Sequence, residues 1–173
     1  MVNWTYNPED YGKVNLIPVG NYRVRIENAE EQVSKKGNDM IKLTLKVSGF
    51  NQKLFEYIVF PSAPAKDASE DFKEKYNWAV QKTNDRLGQV FDSFNIEQGN
   101  LNVMNWQGKV GAVNVKHQLD AEGNMQARVN FFIKRNKQDL LPAWQENPVR
   151  QAAQPQANVN ADMVDPNDND CPF

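Results

Sequence analysis

The spacing of apolar residues changes period twice along this chain, and that change limits the folds open to it. Residues 125–135 alternate throughout, with Met125, Ala127, Val129, Phe131 and Ile133 on one side and Gln126, Arg128, Asn130, Phe132 and Lys134 on the other. A period of two is that of a β-strand with one buried face. Residues 22–28 set Tyr22, Val24 and Ile26 against Arg23, Arg25 and Glu27. Residues 40–48 set Ile41, Leu43, Leu45 and Val47 against Lys42, Thr44, Lys46 and Ser48. Residues 53–60 are apolar on both faces and end at Pro61 and Pro64, because proline cannot donate to a sheet ladder. Residues 109–117 set Val113 and Val115 against Asn114 and Lys116. Between the third and fourth strands the period lengthens. Phe72, Tyr76, Ala79, Val80, Leu87, Phe91 and Phe94 recur at helical spacing. Asp67 and Glu70 are placed to form a capping box, and Gly88 is expected to kink the helix.

Three strands, a helix and two strands make a mainly β fold. The order is that of an OB-type five-stranded Greek-key barrel with one helix between strands 3 and 4, although other α+β meanders share it. The barrel domain is expected over residues 1–150. Gln151 to Asn160 holds no aromatic residue and no charge, so burial cannot offset its ordering entropy. Residues 151–173 are therefore read as a flexible linker and a disordered acidic tail.

The net charge of −2 conceals an asymmetry. All 20 Lys and Arg residues lie between Lys13 and Arg150, while four of the 22 acidic residues (Asp162, Asp165, Asp168, Asp170) lie beyond. Residues 1–150 thus carry 20 positive and 18 negative charges, or +2, and the tail carries −4. A basic body with an acidic tail points toward nucleic acid. No stretch is long and apolar enough to span a bilayer, so no membrane partner is expected. With one cysteine and no secretory pattern at the N-terminus, the expected setting is the cytoplasm.

Catalytic patterns are missing from the sequence. One His (His117) and one Cys (Cys171) do not make a zinc site. Neither a phosphate-binding glycine loop nor a Gly-x-Ser-x-Gly elbow occurs. His117 closes a strand and reads as structural. The expectation is a protein that is not an enzyme, with no cofactor and no metal.

The outward strand positions carry the candidate chemistry. Single-strand binders combine cations that follow the phosphates with flat rings on which bases stack. The polar faces supply Arg23 and Arg25, Lys42 and Lys46, Lys116, then Arg128 and Lys134. Phe132 shares the face of Arg128 and Lys134, and Phe55 and Tyr57 share one face of the third strand. Lys35 and Lys36 fall in the loop between strands 1 and 2, which OB-folds use for ligands. Each ring could instead pack in the core, and each cation could be solubilising charge; together they point to a DNA-binding face. Trp4, Tyr6 and Tyr11, Trp78, and Trp106 are read as packing residues, and Trp144 as the anchor of the last ordered segment.

The tail reads Asp165-Pro-Asn-Asp-Asn-Asp-Cys-Pro-Phe173. Asp165, Asp168, Asp170, Pro172 and Phe173 form a portable ligand: a ring for an apolar pocket and carboxylates for its basic rim. A generic solubilising tail has no need of Pro-Phe at its tip.

This tip resembles that of bacterial and phage single-stranded-DNA-binding proteins, which are acidic and end in Pro-Phe or Phe. The body resembles a phage-encoded family long catalogued as a domain of unknown function, some of whose members bind single-stranded DNA. The likeness rests on residues 17–26 (Ile-Pro-Val-Gly-Asn-Tyr-Arg-Val-Arg-Ile), 34–40 (Ser-Lys-Lys-Gly-Asn-Asp-Met), 108–111 (Gly-Lys-Val-Gly) and 115–117 (Val-Lys-His). Asn167, Asn169 and Cys171 stand where many relatives are more purely acidic. The resemblance implies an OB-fold and a role in phage or bacterial DNA replication or recombination. The expected function is to bind and protect single-stranded DNA with little sequence preference while the tip recruits replication or recombination proteins. Self-association into a homo-oligomer is compatible with it. The alternatives are a recombination mediator or annealing protein, or a protein-protein adaptor with an OB-like domain.

Overall fold

The computed structural model describes residues 1–10 and 15–146. The linker and tail at 151–173, and Tyr11, lie outside the described residues. The main elements are β1 (Gly20–Val33), β2 (Asp39–Val47), β3 (Lys53–Val59), α1 (Glu70–Ser93), β4 (Val110–Leu119) and β5 (Met125–Phe132). Short 3-10 turns form at Pro8–Asp10, Val103–Asn105 and Arg135–Lys137. Among the described residues, no helix is long and apolar enough to cross a membrane.

The five strands form one antiparallel sheet in the order β3-β2-β1-β4-β5. β1 is central because it is long and bent. Its first part, Gly20–Arg25, pairs with β4, and its later part, Val24–Val33, pairs with β2. A bulge between Ile26 and Asn28 shifts the register and bends the strand. It also resets the alternation, since Val24 and Ile26 are buried but the next core residue is Ala29.

The Greek-key barrel expected from the strand order takes the form of an open sheet, with β3 and β5 as its edges. The two edges approach each other, and side chains of α1 bridge them. Arg86 Nε meets Glu56 Oε1 of β3 at 2.9 Å, while Arg86 Nη1 donates to the Asn130 carbonyl of β5 at 3.2 Å. Gln89 Oε1 accepts from the Phe132 amide at 3.1 Å. Burial pushes the Glu56 carboxyl above its ordinary range, against the pull of Arg86, Arg128 and Lys116.

The core lies between the inner sheet face and the C-terminal half of α1. Val24, Ile26, Leu43, Leu45, Leu54, Val113 and Val115 are buried with Leu87, Val90, Phe91, Phe94 and Trp106. Each such aliphatic side chain contributes about 1.5–3 kcal/mol by leaving water. Phe94 reaches its place because residue 111 is glycine. A Cβ there would lie 2.8 Å from Phe94 Cδ1 and 2.9 Å from Ser93 Oγ.

α1 begins differently from the expectation. Ser69, not Asp67, is the N-cap, and its side chain accepts from the Phe72 amide at 3.2 Å. The helix runs through Gly88 to Ser93 without a break. Its buried residues begin at Leu87, so the first half projects from the body and leaves Phe72 and Trp78 exposed. Trp4 and Tyr6 are exposed as well, contrary to the packing expected of them. Trp106 packs as expected: it is fully buried, donates to the Asn100 carbonyl at 2.9 Å, and meets Phe91 edge-on.

Candidate nucleic-acid interface

Antiparallel pairing of β1, β2 and β3 stacks their outward side chains in rows. Arg25 stands opposite Lys46, and Lys46 opposite Lys53. The next row is Asn28, Thr44 and Phe55, then Glu30, Lys42 and Tyr57, then Gln32, Met40 and Val59. Phe55 is 41% exposed, Tyr57 43% and Val59 38%. A strand whose inner side is filled by Leu54 and Ile58 has no packing use for two outward rings. Phe55 and Tyr57 lie two residues apart, about 7 Å along the strand. The Lys42 ammonium sits 5.3 Å from the Phe55 ring centroid, so ring and cation share one small area.

A second cationic group faces Tyr57 across the gap between β3 and β5. Lys116 and Arg128 are opposite each other in the β4–β5 ladder. They line a cleft of about 430 Å³ together with Glu56, Tyr57, Arg86 and Asp120. Tyr57 therefore stands between Lys42 on one side and the Arg128–Lys116 pair on the other. That arrangement can take a chain of alternating phosphates and bases.

The β1 end of the face is occupied by the chain itself. Arg23, expected on the DNA face, is committed to structure. Its guanidinium donates to the carbonyls of Pro142 and Gln138, both at 2.9 Å, and of Leu141 at 3.3 Å. Arg25 pairs with Glu146 at 3.1 Å and lies 5.1 Å from the Trp144 ring centroid. Lys46 pairs with the same Glu146 carboxylate. Trp144, expected to anchor the last ordered segment, lies half-buried beside Arg25, while Arg23 and Gln138 hold that segment in place. Sequence patterning gave no sign of where Trp144 lands.

Phe132 requires a correction. It is 3% exposed, packed edge-on against Phe94 at 5.7 Å, with the Arg86 guanidinium 5.5 Å from its ring centroid. The register shift between Asn114 and Val115 places an extra β5 residue, Asn130, between the partners Val129 and Phe131. From there on the alternation inverts, so Phe132 points inward and Phe131, 44% exposed, points outward. The adjacent Phe131-Phe132 pair was the available signal, since an unbroken strand must expose one of two neighbouring rings. Lys134 lies past the end of β5 in a cleft with Asp92, Arg135, Asn136 and Asp139. Lys35 and Lys36 are exposed in the turn between β1 and β2, which Gly37 closes at φ 86°. His117 holds the incoming chain through Nε2 to the Ile17 carbonyl at 2.8 Å. Asp165, Asp168, Asp170, Pro172 and Phe173 lie outside the described residues.

Sequence reading missed Lys53 on the outer face, paired to Glu27 at 2.8 Å, and Arg86, the bridge between the sheet edges. Among the described residues, no group of His, Cys, Asp and Glu is placed to hold a metal ion.

A family model with the description protein of unknown function, DUF669, matches residues 5–143. The chain belongs to the DUF669 family. The DUF669 match takes in all five strands, α1 and the Arg23 contacts to Gln138, Leu141 and Pro142, and stops just short of Trp144. No curated protein matches the chain.

Proposed function

We propose that this DUF669 protein binds single-stranded DNA with little sequence preference on the outer face of β1, β2 and β3. The carrying observation is the exposed pair Phe55 and Tyr57, framed by Lys42 and by Lys116 with Arg128. Bases stack on the rings and phosphates meet the cations, so affinity depends little on base identity. The strand order supports reading the open sheet as an OB-type barrel whose β3 and β5 edges are joined through Arg86. In that fold the face of strands 2 and 3 and the loop carrying Lys35 and Lys36 take oligonucleotides. The protein serves replication or recombination in the cytoplasm of a phage-infected or bacterial cell. Residues 162–173 recruit partner proteins, and the relation to phage single-strand binders is part of this proposal.

The test is fluorescence anisotropy with a labelled oligo-dT strand at low salt. Wild type binds at micromolar concentration or below, and Tyr57→Ala weakens binding about tenfold, within the range of one lost stacking contact. No binding by wild type at micromolar protein overturns the proposal. The exposed Phe72 and Trp78 of α1 favour a second reading, a protein-protein adaptor. That reading gains if DNA affinity is missing while a partner protein is held through these residues.

A further inference from the structure

The chain after β5 returns across the sheet and ends on the cations that begin the proposed DNA track. Its root is fixed. Gln138 is 5% exposed, and its side-chain amide donates to the Ser93 carbonyl at 3.0 Å and the Ile133 carbonyl at 2.9 Å. Arg23 then holds Leu141 and Pro142. Its tip is different in kind. Trp144 and Glu146 rest on the surface: Glu146 has a side-chain exposure of 45%, and the partners Arg25 and Lys46 have 32% and 18%. The Gln145 amide donates to Ser48 Oγ at 3.1 Å. Exposed ion pairs of this type are weak and screened by salt. The tip can therefore lift while the root stays.

The chemistry of the tip is that of a nucleotide. A flat ring lies over a guanidinium, and an anionic group is gripped by that guanidinium and by a lysine. We infer that residues 144–146 are a built-in competitor, a strap whose Trp144 stands in for a base and whose Glu146 stands in for a phosphate. The strap closes the Arg25–Lys46 subsite until single-stranded DNA displaces it. This inference rests on the proposed DNA-binding reading and adds regulation to it. Charge supports the role. With the strap closed, one carboxylate is shared by two cations and offsets one of their charges, and the track keeps Lys42, Lys116 and Arg128. With it open, the track gains a further base position over Arg25 and two phosphate contacts.

The experiment uses the full chain. Oligo-dT titrations compare wild type with a Trp144→Ala/Glu146→Gln variant across a salt series. If the strap is closed about four-fifths of the time, the variant binds about fivefold tighter. Its salt dependence is also steeper, because wild type must break its own ion pairs as DNA makes those two phosphate contacts and the variant need not. In wild type, hydrogen exchange at the Gln145 amide speeds up on saturation with oligo-dT. Equal or weaker binding by the variant, with wild type still binding, overturns the strap and leaves the DNA reading standing. So does unchanged Gln145 protection in the DNA complex. No binding by either form overturns both.

Discussion

At the scale of single residues, the decisive contrast is between two aromatics that look alike in sequence. Tyr57 points outward from β3 and Phe132 points into the core. Phe132→Ala removes a ring packed on Phe94 and under Arg86. The expected cost is about 3–5 kcal/mol of stability, the usual cost of emptying a buried aromatic site. Chemical denaturation measures it, and a loss below about 1 kcal/mol contradicts the assigned burial. Glu146 makes the second residue-scale prediction. Its hydrogen bond from Lys46, together with Trp144 and Arg25, lowers its carboxyl below the ordinary range despite some desolvation. A depressed carboxylate contributes its contact above its unfolded pKa and loses it as pH falls through the folded value. Trp144 fluorescence, taken as the difference between wild type and Trp144→Phe, therefore shifts only on acidification below the normal Glu range. Glu146→Gln abolishes that shift.

At the scale of elements, two glycines have opposite meanings. Gly111 of β4 lets the Phe94 ring press against the backbone, and a methyl group there meets ring carbons at 2.8 and 2.9 Å. Gly111→Ala is expected to cost about 1–3 kcal/mol through overpacking. Gly88 lies inside α1, where an added Cβ meets nothing within 4 Å. Gly88→Ala is expected to stabilise by about 1 kcal/mol, the difference in helix propensity. Thermal unfolding of the pair checks both signs. The Gly108-Lys-Val-Gly111 motif thus has two separate physical reasons: Gly108 turns the chain at φ 81°, and Gly111 admits Phe94. The elements themselves were legible. All five strands and α1 overlap the segments read from the apolar pattern, with β1 running on from the expected end at Asn28 to Val33, because side-chain alternation and helical spacing are local properties. The N-cap was misread because Asp67 and Ser69 are both good caps. Only the path of the preceding loop decides between them.

At the scale of the molecule, the proposed track gathers cations from four strands while the Arg25–Lys46 end is held by the returning chain. With Lys42, Lys116 and Arg128 open, log affinity for oligo-dT against log salt is expected to have a slope of about −2 or steeper, at roughly 0.7 per phosphate contact. A slope near zero contradicts a phosphate track. Much of this site was visible in sequence as residue types: Lys42, Phe55, Tyr57, Lys116 and Arg128 all reach the outer side. Arg23 did not stay available. Its partners lie 115 to 119 residues further along the chain, beyond the reach of any local pattern.

The sequence by itself determined the period of each element and the order of three strands, a helix and two strands, and it put Phe55 and Tyr57 on one face of β3 without deciding that this face is the outer one. These depend on neighbours within a few residues. Only the tertiary structure decided the faces beyond each bulge, because an extra residue at Glu27 or Asn130 shows itself only against a partner strand. It also decided that the sheet edges meet through Arg86 instead of a ladder, and that Trp144 and Glu146 close over Arg25 and Lys46. Those contacts join residues far apart in the chain, and their geometry follows from how the bent sheet brings them together.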